Sequence, residues 1–125
     1  MKEVMLMTLP TVNSLGRGDI IMVSNDPKPG NNNEQKGPRP WIVISVGTLN
    51  EHTPFVWAIP FTRAYRNYPL AYNWSEEGPE TKTRGTLLCD QLTTLDVKHR
   101  NWEFIEHTYV PGKVDLMIQA VLGYK

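Results

Sequence analysis

The apolar residues of this chain come in short runs that turn-forming residues interrupt. Nine Gly and ten Pro stand between runs such as Ile20-Ile21-Met22-Val23 and Thr86-Leu87-Leu88-Cys89. Runs of this length, bounded by Gly, Pro or Asn, are typical of β-strands and too short for most helices. The pattern therefore predicts a small, mainly antiparallel β protein.

The predicted strands differ in their patterns. The first is apolar on both faces, which indicates a buried strand, and the second starts after Pro40, a position that suits proline. In the third, aromatic residues alternate with smaller ones and give one large aromatic face. The last segment fits a strand or a helix equally well. The segments are 20–23, 41–46, 55–61, 70–74, 86–89 and 102–106.

One helix is predicted at the C-terminal end. Its apolar residues recur at helical spacing, with Pro111 in the first turn and Gly123 at the end. These residues are Val114, Met117, Ile118, Val121 and Leu122. Together, the segments predict a small antiparallel barrel or curled sheet with a C-terminal amphipathic helix packed on it.

Length and composition exclude several classes of protein. A chain of 125 residues has room for one domain, and 13 basic against 13 acidic residues exclude a polybasic or acidic tail. A single cysteine, Cys89, cannot form a disulfide framework; we expect a small core residue in a cytoplasmic protein. The first residues do not resemble an export signal, and we expect no membrane segment.

Common catalytic and cofactor signatures are absent from the sequence. His52, His99 and His107 are scattered, and the aspartates lack the spacing of metal ligands. Phosphate-binding glycine loops and the Gly-x-Ser-x-Gly turn of serine hydrolases are also missing. We therefore expect no metal and no cofactor.

Charge is distributed unevenly along this neutral chain. The windows 34–40, 62–66 and 82–100 together have an excess of five positive charges, and the remainder has an excess of five negative charges. If the windows share one face of the fold, that face can bind a polyanion. Ordinary mixed surface charge would explain the same counts.

Arg39 lies between Pro38 and Pro40, directly before a predicted strand. Because proline restricts the backbone, this Arg is presented rigidly, as a bidentate phosphate ligand must be. Pairing with Glu34 is the structural alternative. Thr62 ends the aromatic strand, and its hydroxyl is directed from that end.

Several motifs, taken in order, resemble the MazF/PemK family of toxin endoribonucleases. The Glu-Gln-x-Gly-x-Arg-Pro block at 34–40 is specific, and the resemblance extends from about Gly18 to the C-terminal helix. The motifs are Gly18-Asp19-Ile20, Asp26-Pro27, Glu34-Gln35-Lys36-Gly37-x-Arg39-Pro40, Ile42-Val43-Ile44-Ser45, Pro60-Phe61-Thr62, Gly85, Asp90-Gln91 and Thr94-Leu95-Asp96.

The resemblance implies an SH3-like β-barrel of the CcdB/PemK type that forms a homodimer. It also implies metal-independent, sequence-specific cleavage of single-stranded RNA by 2′-OH attack, which leaves a 2′,3′-cyclic phosphate and a 5′-OH. The implied partner is a MazE-like antitoxin with an acidic flexible tail, so that DNA is contacted only through the antitoxin. We expect residues 1–16 to be an N-terminal extension and 17–125 to be the single toxin domain.

The family's functional residues match positions of this chain. Arg39 and Thr62 match a catalytic pair, and Glu34 and Asp90 match the acids, either of which could take the 2′-OH proton. In one branch an Arg precedes that Asp by two positions and a His precedes the Glu-Gln pair, whereas this chain has Leu88 and Asn33 there. We predict RNA contacts for Gln35, Lys36, Arg63, Arg66, Arg84 and Gln91.

Three alternatives stay open at this point. A gyrase-poisoning toxin of the CcdB type shares the fold and acts by binding a protein, although it lacks the Gly-x-Arg-Pro block. A non-catalytic family member would bind only RNA or antitoxin. A two-histidine mechanism would use His52 and His99, which lie outside every matched motif.

Overall fold

The structure is a computed structural model that describes residues 14–24 and 38–124. This part of the chain forms seven strands and three α-helices. The strands are β1 (Asp19–Ser24), β2 (Pro38–Val43), β3 (Phe55–Thr62), β4 (Ala71–Asn73), β5 (Thr86–Leu88), β6 (Thr93–Asp96) and β7 (Trp102–His107). The helices are α1 (Gly47–Asn50), α2 (Trp74–Glu77) and α3 (Gly112–Leu122).

All strand pairs are antiparallel, in the order β4-β5-β3-β2-β1-β7, with β6 also paired to β3. The mainly-β prediction is confirmed. Among the described strands the ladder does not close, because β4 and β7 end it. The architecture is a curled, barrel-like sheet with helices packed on it.

Both faces of the sheet are buried. Ile21 and Val43 belong to a core cluster that includes Leu15 and Leu95. Ile20 and Ile42 point to the opposite face, where α3 inserts Val114. Because successive side chains of a strand alternate, doubly apolar strands can contribute to both clusters. This arrangement confirms the buried first strand that the sequence predicted.

The C-terminal helix was predicted correctly at both ends. Pro111 is its N-terminal cap, and Gly123 ends it with a φ of 81°, in the left-handed region that favours glycine. Val114 is buried, and Met117 and Ile118 pack partly against the same cluster. Val121 and Leu122, which the periodicity assigned to the core face, are exposed in the single chain.

Several strands differ from the prediction: β6 (Thr93–Asp96) was not predicted, and β2 ends at Val43 rather than Val46. β2 begins at Pro38 rather than after Pro40, so Arg39 lies within the strand. The alternating segment 70–74 forms only the three residues of β4, and Trp74 begins α2 instead. The indole of Trp74 is buried, and its Nε1 donates to Thr81 Oγ1 (2.8 Å), a contact that the local pattern does not contain.

Three smaller observations follow from the described residues. Leu15, which we assigned to the N-terminal extension, packs in the core, and its carbonyl accepts from Asn50 Nδ2 (2.7 Å). Cys89 is fully buried, as predicted, and burial raises its pKa to about 12. In the described part of the chain, each helix is too short or too polar to cross a membrane.

Candidate active site

Arg39 lies in the part of β2 that pairs with β1, opposite Val23. The Val43 carbonyl accepts from Gly18 N (2.8 Å), whereas Ile44 N donates to Trp57 O (2.8 Å). Because peptide groups alternate along a strand, even-numbered residues of β2 therefore face β3. Pro38 and Pro40 have no N–H for that side, and β2 pairs with β3 only from Trp41 onward.

The prolines thus separate the beginning of β2 from the end of β3. The pair Trp41 and Pro60 fixes the register, and two further residues bring Arg39 opposite Thr62. Cross-strand neighbours point to the same face of a sheet. Arg39 and Thr62 are therefore aligned on the same face of the sheet, just beyond the last paired residues of the two strands. Arg39 is half-buried, and burial lowers its pKa below the ordinary value of 12.5.

Thr62 is only 7% exposed, and its Oγ1 accepts a hydrogen bond from Ala64 N (3.3 Å). A hydroxyl that accepts still has its own proton to donate. The backbone that follows Thr62 turns away from the sheet, and residues 63–67 are exposed. The hydroxyl is therefore fixed at the boundary between core and surface.

Gly85, which directly precedes β5, packs against the backbone of Thr62 at the end of β3. A Cβ at Gly85 would lie 2.3 Å from the Thr62 carbonyl oxygen and 3.6 Å from Arg63 Cα, and its φ is 126°. This close approach places the exposed residues Arg63 and Arg84 beside the end of β3. Arg84 Nη2 donates to Ser75 O (3.3 Å).

Asp90 lies in a single 3₁₀ turn after β5 and contacts a different group of residues. Its Oδ1 accepts from the Tyr68 hydroxyl (2.8 Å). Desolvation, followed by the hydrogen bond and the charge of Asp90, raises the pKa of Tyr68 to about 12, and the positive charge of Arg66 opposes this. Gln91 is exposed in the same turn.

The structure therefore divides the predicted site residues into two groups. Arg39, Thr62, Arg63 and Arg84 lie around the end of β3, and Asp90, Gln91 and Arg66 lie around Tyr68. Glu34, Gln35 and Lys36, with Asn33, lie outside the described residues. The basic windows 62–66 and 82–100 are close at the contact between Gly85 and Thr62.

At one position where the chain departs from the family pattern, the structure shows the surroundings of the side chain. Leu88 is buried in β5, where a charged side chain would have to be desolvated.

The histidines of the alternative mechanism lie elsewhere. His99 Nδ1 is 2.8 Å from Asp96 Oδ2, and His52 is exposed after α1. In residues 14–24 and 38–124, His, Cys, Asp and Glu side chains form no group of three that could hold a metal ion.

Glu106 was not among the predicted residues, and it attaches β7 to the segment that precedes Arg84 and Gly85. This β7 carboxylate accepts from Lys82 N (3.0 Å), Thr83 N (2.9 Å) and Thr83 Oγ1 (2.8 Å). Desolvation alone would raise its pKa, but these hydrogen bonds outweigh that effect and the pKa is lowered. Because Glu106 lies more than twenty residues from this segment, no local motif could reveal the contact.

Comparison with known proteins gives a consistent result at the family level. A family model described as "PemK-like, MazF-like toxin of type II toxin-antitoxin system" matches residues 16–121. Endoribonuclease PemK of Escherichia coli is 32% identical over 108 residues, which cover 86% of this chain and 76% of that protein.

Solved structures show the same fold. The MazE–MazF crystal structure (Form-II) from Deinococcus radiodurans has a TM-score of 0.68 at 25% identity, covering 88% of this chain and 93% of that chain. A mycobacterial endoribonuclease in complex with its cognate antitoxin has a TM-score of 0.67 at 22% identity, with 89% and 97% covered. At such identity the second likeness concerns the fold alone.

Proposed function

Because the chain belongs to the PemK-like, MazF-like toxins of type II toxin–antitoxin systems, we propose that it is a sequence-specific endoribonuclease. Its substrate is single-stranded RNA, and cleavage of mRNA stops translation and growth. The observation that supports this proposal most strongly is the register of β2 and β3, which, continued two residues beyond the pair Trp41 and Pro60, aligns Arg39 with Thr62. A guanidinium and a hydroxyl at the edge of the core can both donate hydrogen bonds to the oxygens of a phosphodiester.

The proposed reaction uses the nucleophile that RNA itself supplies. The 2′-oxygen forms a bond to the adjacent phosphorus, and the bond to the 5′-oxygen breaks, which leaves a 2′,3′-cyclic phosphate and a 5′-OH. Negative charge accumulates on the phosphorane oxygens in the transition state. Arg39 stabilises this charge with its guanidinium, and Thr62 donates its hydroxyl proton as a hydrogen bond. The loss of one such preorganised donor typically lowers a rate ~10²–10³-fold.

Two protons must also move. The 2′-OH loses one to a carboxylate, for which Glu34 and Asp90 are the candidates. The leaving 5′-oxygen gains one, and Arg39 is the nearest proposed donor. Burial lowers the pKa of Arg39, yet guanidinium stays protonated near neutral pH, so Arg39 cannot serve as the base. The mechanism requires no metal because the ribose provides the nucleophile.

RNA contacts are assigned to the polar residues that surround this pair. Arg63 and Arg84 are exposed beside the end of β3, and Arg66 and Gln91 are exposed near Asp90. Gln35 and Lys36 complete the proposed set. The positive charges of Lys36 and of the three arginines would hold the phosphates on either side of the cleaved bond, and the glutamine amides would add hydrogen bonds.

The proposed partners follow from the family and from the exposed surface. The relatives include MazE–MazF complexes, and we assign to this chain a MazE-like antitoxin whose acidic flexible tail occupies the RNA groove. DNA would be contacted only through that antitoxin. Phe55 and Trp57 are 43% and 45% exposed on the α3-covered side of the sheet, and a second copy in a homodimer would cover them. The proposed location is the cytoplasm.

The test is incubation of the purified protein with a long RNA, with and without EDTA, followed by mapping of the cut sites. We expect cuts at one short sequence in both conditions. The matched variant is Arg39→Ala, which should leave the RNA intact. Intact RNA with the unchanged protein, together with inhibition of gyrase supercoiling, would favour the CcdB-like alternative instead.

A further inference from the structure

The loop between β3 and β4 is fixed at both ends. At its beginning, Ala64 N donates to Thr62 Oγ1 (3.3 Å). At its end, Ala71 N donates to the Tyr68 carbonyl (2.9 Å), and the Tyr68 hydroxyl donates to Asp90 (2.8 Å). The middle of the loop, residues 63–67, is exposed. The loop is therefore anchored without being covered.

One large aromatic side chain projects from this middle part. Tyr65 is 66% exposed and lies between Arg63 and Arg66 in the sequence. An exposed ring flanked by two cations, three residues after the proposed catalytic Thr62, has the composition of a single-stranded nucleic-acid site. Aromatic rings stack on unpaired bases, and arginines pair with the neighbouring phosphates.

We propose that Tyr65 forms a stacking subsite for one unpaired base of the RNA next to the cleaved phosphate. This inference rests on the proposed ribonuclease function and adds a residue that the family motifs do not include. Stacking recognises the face of a base rather than its edge, so Tyr65 contributes affinity and places the strand, while other groups select the sequence.

The hydrogen bond between Tyr68 and Asp90 is the clamp that positions this subsite. Tyr68 lies three residues after Tyr65, and Asp90 reaches it from the 3₁₀ turn on the neighbouring strand. Arg66 is close enough to influence Tyr68 electrostatically. This clamp assigns Asp90 to positioning the loop through the Tyr68 hydroxyl and leaves Glu34 as the candidate base.

The stacking subsite is tested by RNA affinity. The probe is a fluorescein-labelled oligonucleotide with the mapped cut sequence and a 2′-deoxy nucleotide at the cut position, which removes the nucleophile. Tyr65→Ala and Tyr65→Leu should each raise Kd about fivefold or more, and Tyr65→Phe should bind as the unchanged protein does. The matched control is Tyr109→Ala, because Tyr109 is 65% exposed and lies beyond β7.

The outcomes separate this inference from the proposed function. If the unchanged protein cuts RNA and Tyr65→Ala binds the oligonucleotide as tightly as Tyr109→Ala does, the subsite is wrong and the function stands. The subsite is also wrong if Tyr65→Leu binds the oligonucleotide as tightly as the unchanged protein does. It is wrong too if Tyr65→Ala weakens binding of the antitoxin but not of the oligonucleotide. If the unchanged protein cuts no RNA, the proposed function itself fails.

The clamp is tested with three single variants and one double variant. Tyr68→Phe and Asp90→Ala remove the hydrogen bond, whereas the amide oxygen of Asp90→Asn can still accept from Tyr68. We expect the first two to raise KM several-fold more than they lower kcat, and the double variant to lose no more than either single one. Asp90→Asn should retain more affinity than Asp90→Ala. Equal losses for Asn and Ala, or additive losses in the double variant, would overturn the clamp.

Discussion

Arg39 is the residue on which the proposed chemistry depends most. Its position in β2 between two prolines fixes the backbone, and the register of β2 and β3, continued two residues, aligns it with Thr62. We predict that Arg39→Ala abolishes cleavage and that Arg39→Lys is also poor, because one ammonium cannot replace the planar fork. The measurement is cleavage of the mapped RNA, with circular dichroism to verify folding. Wild-type cleavage by folded Arg39→Ala protein would contradict the assignment.

Thr62 allows a more conservative test at the same scale. Thr62→Val preserves the shape of the side chain and removes the hydroxyl, so we expect at least a loss of about tenfold in rate, as for other preorganised donors. Thr62→Ser should retain most of the activity. The matched control is Thr86→Val, the same change at the cross-strand partner of Thr62. Equal cleavage rates for Thr62→Val and the unchanged protein would show that the Thr62 hydroxyl takes no part in catalysis.

At the scale of elements, Gly85 determines how closely β5 approaches the end of β3. A Cβ there would lie 2.3 Å from the Thr62 carbonyl at a φ of 126°. Gly85→Ala should therefore lower the free energy of unfolding by at least about 2 kcal/mol. Gly112→Ala is the matched control, because a Cβ at Gly112 meets nothing within 4 Å. Chemical denaturation measures both, and equal stabilities would contradict the close packing.

Glu106 should make the free energy of unfolding depend on pH. Its pKa in the folded chain is lowered from the ordinary 4.5, so its contribution is present above that value and is lost as the pH falls through the folded pKa. Glu106→Gln should cost about 1–2 kcal/mol of unfolding free energy near neutral pH, because an amide cannot accept all three hydrogen bonds. The difference from the unchanged protein should shrink in acid. A difference that stays constant between neutral and acidic pH would contradict this role.

The elements also show what the sequence could and could not reveal. Periodicity correctly predicted β1, β3 and α3, because apolar spacing determines which side chains the core can bury. The predicted beginning of β2 was wrong because a proline without an N–H is tolerated where only one neighbouring strand pairs. Its predicted end was wrong because Val46 caps helix α1 instead. Val121 and Leu122 have the helical spacing of core residues but are exposed, because spacing does not show how far the sheet extends.

Some residues of the site could be predicted from the sequence, whereas their contacts could not. Arg39 and Thr62 could be identified from short motifs and strand ends, although their pairing required the register. The contacts of Glu106 with Thr83, and of Tyr68 with Asp90, join residues that are 23 and 22 positions apart. Such contacts depend on the three-dimensional arrangement and leave no local pattern.

For the whole molecule, we predict that the three basic windows share one surface on a chain with no net charge. RNA affinity should fall as salt rises, with a logarithmic slope of about 0.7 for each phosphate contact and a few contacts in total. The acidic antitoxin tail should compete with RNA for this surface. Fluorescence polarisation in a salt series, with antitoxin added, measures both effects. Salt-independent affinity, or inhibition while RNA stays bound, would contradict a shared groove.

The measurement that tests the central claim most directly compares two oligonucleotides that differ by one atom. One has ribose throughout the mapped cut sequence, and the other has a 2′-deoxy nucleotide at the cut position. With EDTA present, we predict that only the first is cut and that mass spectrometry finds a 2′,3′-cyclic phosphate and a 5′-OH. Cleavage of both, or products with 3′-OH and 5′-phosphate ends, would contradict 2′-OH attack at the Arg39 and Thr62 site.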